Sequence, residues 1–290
     1  MQSFYSKYYK YKLKYLNLKS QLGGSLSMNN IKDLTKQISI PRQIGSKNLQ
    51  LVKEIVFSKL KELNLITEEQ KFSQIVRNTS YNFSNIIAYN PKALKKFILL
   101  AAHIDSCQID NFEGAIDSAS SIAIIIELAK NLLKINPNYP LMIVFFDGEE
   151  AINGQWASDN SLIGSKYFVN NYDTSQIEQL YLLDLIGGNL DNKFYAYKNN
   201  LISIDQIKKL ADINTKYKDQ LFVYPSLNIK VNEVQDDHFP FKEKGIKYLH
   251  LIPSPFPKQH HKDIDTYENL NWDYIETFTK VLFEYLSHIF

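Results

Sequence analysis

The run Leu141-Met-Ile-Val-Phe-Phe-Asp-Gly-Glu-Glu150 sets six consecutive apolar residues directly before a glycine and three acids. No side of such a segment is polar, so it reads as a strand buried on both faces, the habit of parallel sheets sandwiched by helices. Working outward, Phe97-Ile-Leu-Leu-Ala-Ala102 repeats the pattern after the turn signal Asn90-Pro91, and further strands are expected over residues 180–185 and 247–252. Between the first two, Ile122, Ile125, Ile126, Ala129, Leu132 and Leu133 stripe a helix that starts near Ser118. Residues 72–89 alternate as a strand pair, Val52, Val56, Leu60 and Leu63 mark an earlier helix, and Ile275, Phe278, Leu282, Tyr285 and Ile289 a closing one. Strands alternating with helices predict an α/β chain built on a largely parallel sheet covered on both faces.

In such sheets ligands collect beyond the carboxyl ends of the strands. Those ends are chemically uniform here: His103-Ile-Asp105 follows one apolar run, Asp147-Gly-Glu149-Glu150 another, Asp184 a third, and His250 closes the fourth. Unpaired charge at a buried strand end costs several kcal/mol unless something compensates it. A metal ion is the simplest compensation, and catalytic zinc takes three His or carboxylate ligands while leaving one position open. Asp117, Glu150 and His261 would supply such a set. Each has a plainer reading: Asp117 as a helix N-cap, either acid of Glu149-Glu150 as a solvated loop charge, His250 as a satisfied core histidine, and His260 and His261 as surface residues. Only their joint occurrence favours a metal site.

The 290 residues carry a formal charge of +2, but residues 1–24 hold five lysines and no acid, which leaves −3 on the remainder. That slightly acidic body excludes the basic surface a nucleic-acid enzyme needs around its site. Cys107 is the only cysteine, so no intramolecular disulfide can form, as suits a reducing compartment. No stretch reaches the roughly 20 apolar residues of a membrane span, and the scattered N-terminal lysines interrupt any secretory signal. The protein is therefore expected to be soluble and not classically secreted. Residues 1–24 form a Lys/Tyr-rich segment in which Phe4, Tyr8, Tyr11, Tyr15, Leu18 and Leu22 share one helical face before Gly23-Gly24. It reads equally as an address or partner helix and as an appendage docked on its own domain. Residues 25–47, mostly polar, read as a linker, and 48–290 as the catalytic domain.

Several segments together resemble the zinc-dependent glutaminyl-peptide cyclotransferases of the animal type, relatives of the zinc aminopeptidases of peptidase family M28. They are His103-Ile-Asp-Ser106, Gly114-Ala-Ile-Asp-Ser118, Ile143-Val-Phe-Phe-Asp-Gly-Glu-Glu-Ala151, Ser161-Leu-Ile-Gly-Ser165, Leu182-Leu-Asp-Leu-Ile-Gly187, Asp236-Asp-His-Phe-Pro-Phe241 and Leu249-His-Leu-Ile-Pro-Ser-Pro-Phe-Pro257. The resemblance implies a single-domain three-layer sandwich around a mixed, mostly parallel sheet. It implies one zinc ion per chain on Asp117, Glu150 and His261, with Glu149 as the general acid/base and Asp184 and Asp236 as supporting carboxylates. Trp156 and Phe256 would wall the substrate pocket, with His250 behind them. The substrates implied are peptide or protein N-termini bearing Gln, and a monomer is expected.

Three departures stand out. The family usually has Trp where this chain has His260, one extra residue lies between Glu150 and Trp156, and the cysteine pair of secreted members is missing. The competing reading is a two-metal aminopeptidase, for which His103, Asp117, Glu150, Asp184 and His261 would serve as ligands. Residues 1–24 also resemble the Tyr/Lys-rich, Leu-Gly-Gly-terminated segment of giant-virus proteins, which implies a viral origin and a host-cytoplasm or virion location.

Overall fold

The computed structural model describes residues 26–197, 200–223 and 232–289. The expectations for residues 1–24, helical, viral or otherwise, lie outside the described residues. In chain order the elements are α1 (Met28–Ile38), α2 (Lys47–Glu62), β1 (Ile66–Val76), β2 (Thr79–Tyr89), β3 (Phe97–His103), α3 (Ser120–Ile135), β4 (Leu141–Phe146), α4 (Ile163–Asn171), β5 (Ile177–Leu183), α5 (Leu201–Asn214), α6 (Phe239–Glu243), β6 (Lys247–Leu251) and α7 (Trp272–Ser287). The six strands form one mixed sheet in the order β1-β2-β4-β3-β5-β6. β1, β2 and β4 pair antiparallel in turn, while β4-β3, β3-β5 and β5-β6 are parallel.

Alternation along the buried strands assigns the layers. Ile98, Leu100 and Ala102 of β3, with Ile143 and Phe145 of β4, pack against helices α1, α2, α3, α5 and α7. Their sequence neighbours Leu99, Ala101, Met142, Val144 and Phe146 face the opposite way and meet Phe168 and Val169 of α4 and Phe241 of α6. This is the expected three-layer sandwich. Because β3 to β6 run parallel, their carboxyl ends share one margin of the sheet, where β3 ends in His103 and the turns that leave β4 and β5 carry Glu149, Glu150 and Asp184.

The segment expected to be a linker is instead structured. Ser27 caps α1 by accepting from the Asn30 N–H, and Ile31, Leu34 and Ile38, spaced by three and four, are buried in the core. A polar composition hid a narrow apolar stripe, and α1 belongs to the folded body. Among the described residues no helix is long and apolar enough to cross a membrane.

Candidate active site

At the end of β4, Gly148 turns the chain with φ +77°, and a Cβ there would lie 2.8 Å from the Phe83 ring, so only glycine fits. The turn is anchored at both ends by buried carboxylates. Asp147 accepts the Ser84 N–H at 2.7 Å and pairs with Lys53 Nζ at 2.5 Å. Asp105, 0 % exposed, accepts the Glu149 N–H through one oxygen and the Glu150 N–H through the other, each at 3.2 Å. The side chains of Glu149 and Glu150 thereby leave the strand end in fixed directions.

Asp117 does not cap a helix. It lies in a π-type turn, Ala115–Ala119, with non-helical dihedrals at Asp117 and Ser118, and α3 begins beyond it without a side-chain cap. Its carboxylate goes into the site: Oδ1 is 2.8 Å from His103 Nε2, and Oδ2 is 3.5 Å from His261 Nε2. The same His261 nitrogen is 3.4 Å from Glu150 Oε2. Ligands about 2.0–2.1 Å from a tetrahedral zinc stand roughly 3.3–3.4 Å from one another, so both separations suit a shared ion. The other Glu150 oxygen, Oε1, is buried with no hydrogen-bond partner, as expected of a donor reserved for a cation. His261 is the shared member of two groups whose donor atoms lie within 4.8 Å of one another, Cys107–Glu150–His261 and Asp117–His260–His261, so the residues present offer the His and carboxylate donors that a zinc ion takes.

Asp184 follows β5 and approaches His103 Nε2 at 3.5 Å. Asp236, on the turn before α6, has Oδ2 2.5 Å from His250 Nε2, and the Tyr197 hydroxyl meets His250 Nδ1 at 2.7 Å. His250 lines no part of the cavity. It stands behind Asp236, its Nε2 against the Asp236 carboxylate, and as a buried residue of β6 it faces the protein interior.

These groups converge on a cavity of 370 Å³. Asp117, Glu149, Glu150, Asp184 and Asp236 supply its carboxylates; Trp156, Leu185, Val234, Ile252 and Phe256 are apolar walls; His260 and His261 complete it. Trp156 and Phe256, each 37 % exposed, stand at the rim. His260 stacks on His261 with centroids 3.9 Å apart and meets Phe256 edge-on at 4.9 Å, filling the wall position as an aromatic while bringing ring nitrogens to the mouth. A roomier cleft of 730 Å³ between α2 and the β1–β2 hairpin gathers no comparable set of carboxylates and histidines.

Burial pushes the Glu150 carboxyl up to about 7, with Asp117 adding to the rise and His261 opposing it. Glu149 is likewise raised well above the ordinary range by burial and by Asp236 and Glu150, against the pull of His103. Burial also disfavours charge on Asp117, yet the His103 hydrogen bond and the neighbouring imidazoles draw it down to about 2. The carboxylates thus differ sharply in proton affinity although they share one pocket, a pattern typical of reactive sites.

Two residues here carried no role in the sequence reading. Asp105 was visible at a strand end but its grip on two backbone N–H groups was not. Asp265, whose carboxylate accepts the Ile116 N–H at 2.7 Å, ties the His261 loop to the Asp117 turn across 149 residues of chain.

A mixed sheet whose parallel strands carry candidate metal ligands at their carboxyl margin defines a class, and the chain belongs to peptidase family M28, whose model matches residues 85–286. A Zn-dependent exopeptidase from Parabacteroides distasonis superposes with a TM-score of 0.79, covering 92 % of this chain and 99 % of that one at 18 % identity, which speaks for the fold alone. Within that class the chain belongs to the glutaminyl-peptide cyclotransferases. It is 33 % identical to the glutaminyl-peptide cyclotransferase of Gloydius blomhoffii, over 86 % of this chain and 79 % of the relative. The glutaminyl cyclase of Macrostomum lignano superposes with a TM-score of 0.82 at 27 % identity, covering 93 % of this chain and 90 % of that one.

Proposed function

We propose that this protein is an acyltransferase that closes the N-terminal glutamine of peptides and proteins into pyroglutamate and releases ammonia. The observation that carries the reading is Glu149, an acid beside a ligand set but outside it, facing a cavity walled by Trp156 and Phe256. The cavity volume of 370 Å³ is at the small end for ligand sites, in keeping with a pocket for one terminal residue.

Asp117, Glu150 and His261 would hold one zinc ion, whose chemistry is to polarise the γ-amide oxygen and stabilise the charge that develops on it. The chain's own groups do the rest. The aromatic walls fold the glutamine side chain back so that the α-nitrogen faces the γ-carbon, replacing a search for reactants by positioning. The α-amine attacks only when neutral, and a free one titrates at about 7.7–8.0. Glu149 takes a proton from the attacking nitrogen as the new C–N bond forms, and returns it to the amide nitrogen as the old C–N bond breaks, so the leaving group departs as ammonia. A carboxyl raised by burial is suited to both transfers near neutrality. Asp184 and Asp236 hold the amino group and set the field around Glu149, and His250, fixed by Tyr197, keeps Asp236 in place. All these groups come from one chain, as a monomer requires.

The direct His103–Asp117 hydrogen bond at 2.8 Å favours one ion over two. His103, Asp117 and Asp184 also lie close enough together to hold a cation, but the His103–Asp117 separation is shorter than the roughly 3.3 Å between two ligands of one tetrahedral zinc. The deciding experiment offers the zinc-loaded protein a Gln-peptide and a Leu-peptide. Ammonia with pyroglutamyl peptide, and intact Leu-peptide, is the expected result; free leucine would overturn the assignment.

A further inference from the structure

Arg42, in the stretch between α1 and α2, is 0 % exposed and is the largest fully buried side chain among the described residues. It makes no hydrogen bond to a carboxylate. Its Nε donates to the Ile104 carbonyl at 2.9 Å; one terminal nitrogen donates to Glu113 at 2.6 Å and Ile40 at 3.5 Å, the other to Gly114 and Asp117, both at 3.0 Å. Ile104 sits between His103 and Asp105, and Glu113, Gly114 and Asp117 form the turn that presents Asp117. One planar group therefore rivets the end of β3 to that turn. The chain around it is paired as well, since the Arg42 N–H donates to Ser106 Oγ at 3.0 Å.

A guanidinium taken out of water without a paired carboxylate is costly, and carbonyl dipoles alone are a modest return. Burial lowers the proton affinity of Arg42, and Asp117, Asp265, Asp105 and Glu150, which all favour its charge, offset part of that cost. The same field acts in reverse: a permanent cation stands behind a cluster of acids that would otherwise repel one another. Only arginine offers five N–H donors in a rigid fork, and lysine keeps the charge but has three donors on a flexible stem.

From this geometry we infer that Arg42 is a positioning residue for the metal site, fixing the backbone of Asp117 so that its carboxylate meets His261 and His103. The residue lies ahead of the part of the chain that the family model matches, 85–286, so the N-terminal segment takes part in forming the site. The inference rests on the zinc reading proposed above.

The test measures zinc affinity of the full chain by competition with a colorimetric chelator, alongside the melting temperature of the metal-free forms. Arg42→Lys should bind zinc about 10- to 100-fold more weakly, the usual range for groups that orient ligands. Leu282→Ala, in the core of α7 and remote from the cavity, should lower the melting temperature yet bind zinc as the parent does. Should Arg42→Lys not fold, Ser106→Ala loosens the same backbone and should weaken zinc several-fold. Parental zinc affinity in Arg42→Lys, or in Ser106→Ala if the first is insoluble, overturns the inference. A parent protein that binds no zinc overturns the metal reading instead, so the two failures are distinct.

Discussion

The active site is assembled from two unlike regions. The strand-end block of His103, Asp105, Asp117 and Asp147–Glu150 is between 0 % and 7 % exposed, and buried side chains from outside hold it: Lys53 of α2 pairs with the Asp147 carboxylate, Asn85 of β2 accepts the Asp147 N–H, and Arg42 donates to the Asp117 carbonyl. The loop after β6, which supplies Phe256, His260 and His261, is stitched by short turn bonds such as His260 N–H to the Pro257 carbonyl. The His261 side chain remains 38 % exposed, with φ at +53°. The difference suggests a division of labour: folding fixes the acids, and the histidine closes the site from the solvent side. Substitutions in the block should disturb both stability and chemistry, whereas those in the loop should separate them.

The largest effect belongs to Glu149→Gln, which should retain zinc and the fold while turnover falls about 10²- to 10⁴-fold; parental turnover in a correctly loaded variant would remove Glu149 from the mechanism. Next comes Lys53→Met. With side chains 9 % and 1 % exposed, Lys53 and Asp147 form a buried pair, and stranding Asp147 should cost about 3–5 kcal/mol in denaturant unfolding. A loss below about 1 kcal/mol would mean the block is less rigid than drawn.

Asp265→Ala probes the tie between the regions: it orphans the Ile116 N–H and should cost about 1–3 kcal/mol and weaken zinc binding. If zinc affinity is untouched, the loop positions His261 without help from the Asp117 turn.

Acidity should sharpen the contrast further. Burial pushes Asp147 up to about 6, with Lys53 opposing, and Asp265 up to about 7, with Asp117 adding to the rise. Both carboxyls bind protons more tightly folded than unfolded, so their contribution is complete below about 3.8 and is lost as pH rises through about 6 and 7 respectively. The metal-free protein should therefore melt higher at pH 5 than at pH 7. Zinc should reverse that slope, because its ligands bind it deprotonated. The smallest effect is expected for His261→Ala in the metal-free form, within about 0.5 kcal/mol of the parent as for an exposed position, although zinc retention is lost. A large destabilisation would show that the loop is part of the rigid block.

Much of this was legible in the chain. β3 and β4 announce themselves because residues buried on both faces leave uninterrupted apolar runs, β5 and β6 through shorter ones, and α3 and α7 because their stripes are long. The acids at the strand ends stand out for the same reason: a charge directly after such a run has to be used. What escaped depends on contacts distant in sequence. Arg42 meets Ile104 and Asp117 across 62 and 75 residues, and nothing in a Pro-Arg-Gln stretch foretells a buried fork. α1 did leave a signal in Ile31, Leu34 and Ile38 behind the Ser27 cap, but its polar surroundings masked it. For His250 a strand's alternation could not say which neighbour stands in front of it, and its partners Asp236 and Tyr197 are visible only in the structure.

β1 forms one margin of the sheet, and its outer groups bear on how copies of this protein behave in company. Glu68, Glu69 and Lys71 crowd that strand, and the Lys71–Glu69 pair lies beside a row of backbone groups that no other strand among the described residues covers. A second molecule seeking to extend the sheet there would have to strip water from those charges. Charged margins of this kind deter edge-to-edge pairing of sheets, and here they sit on the hairpin that shoulders β4.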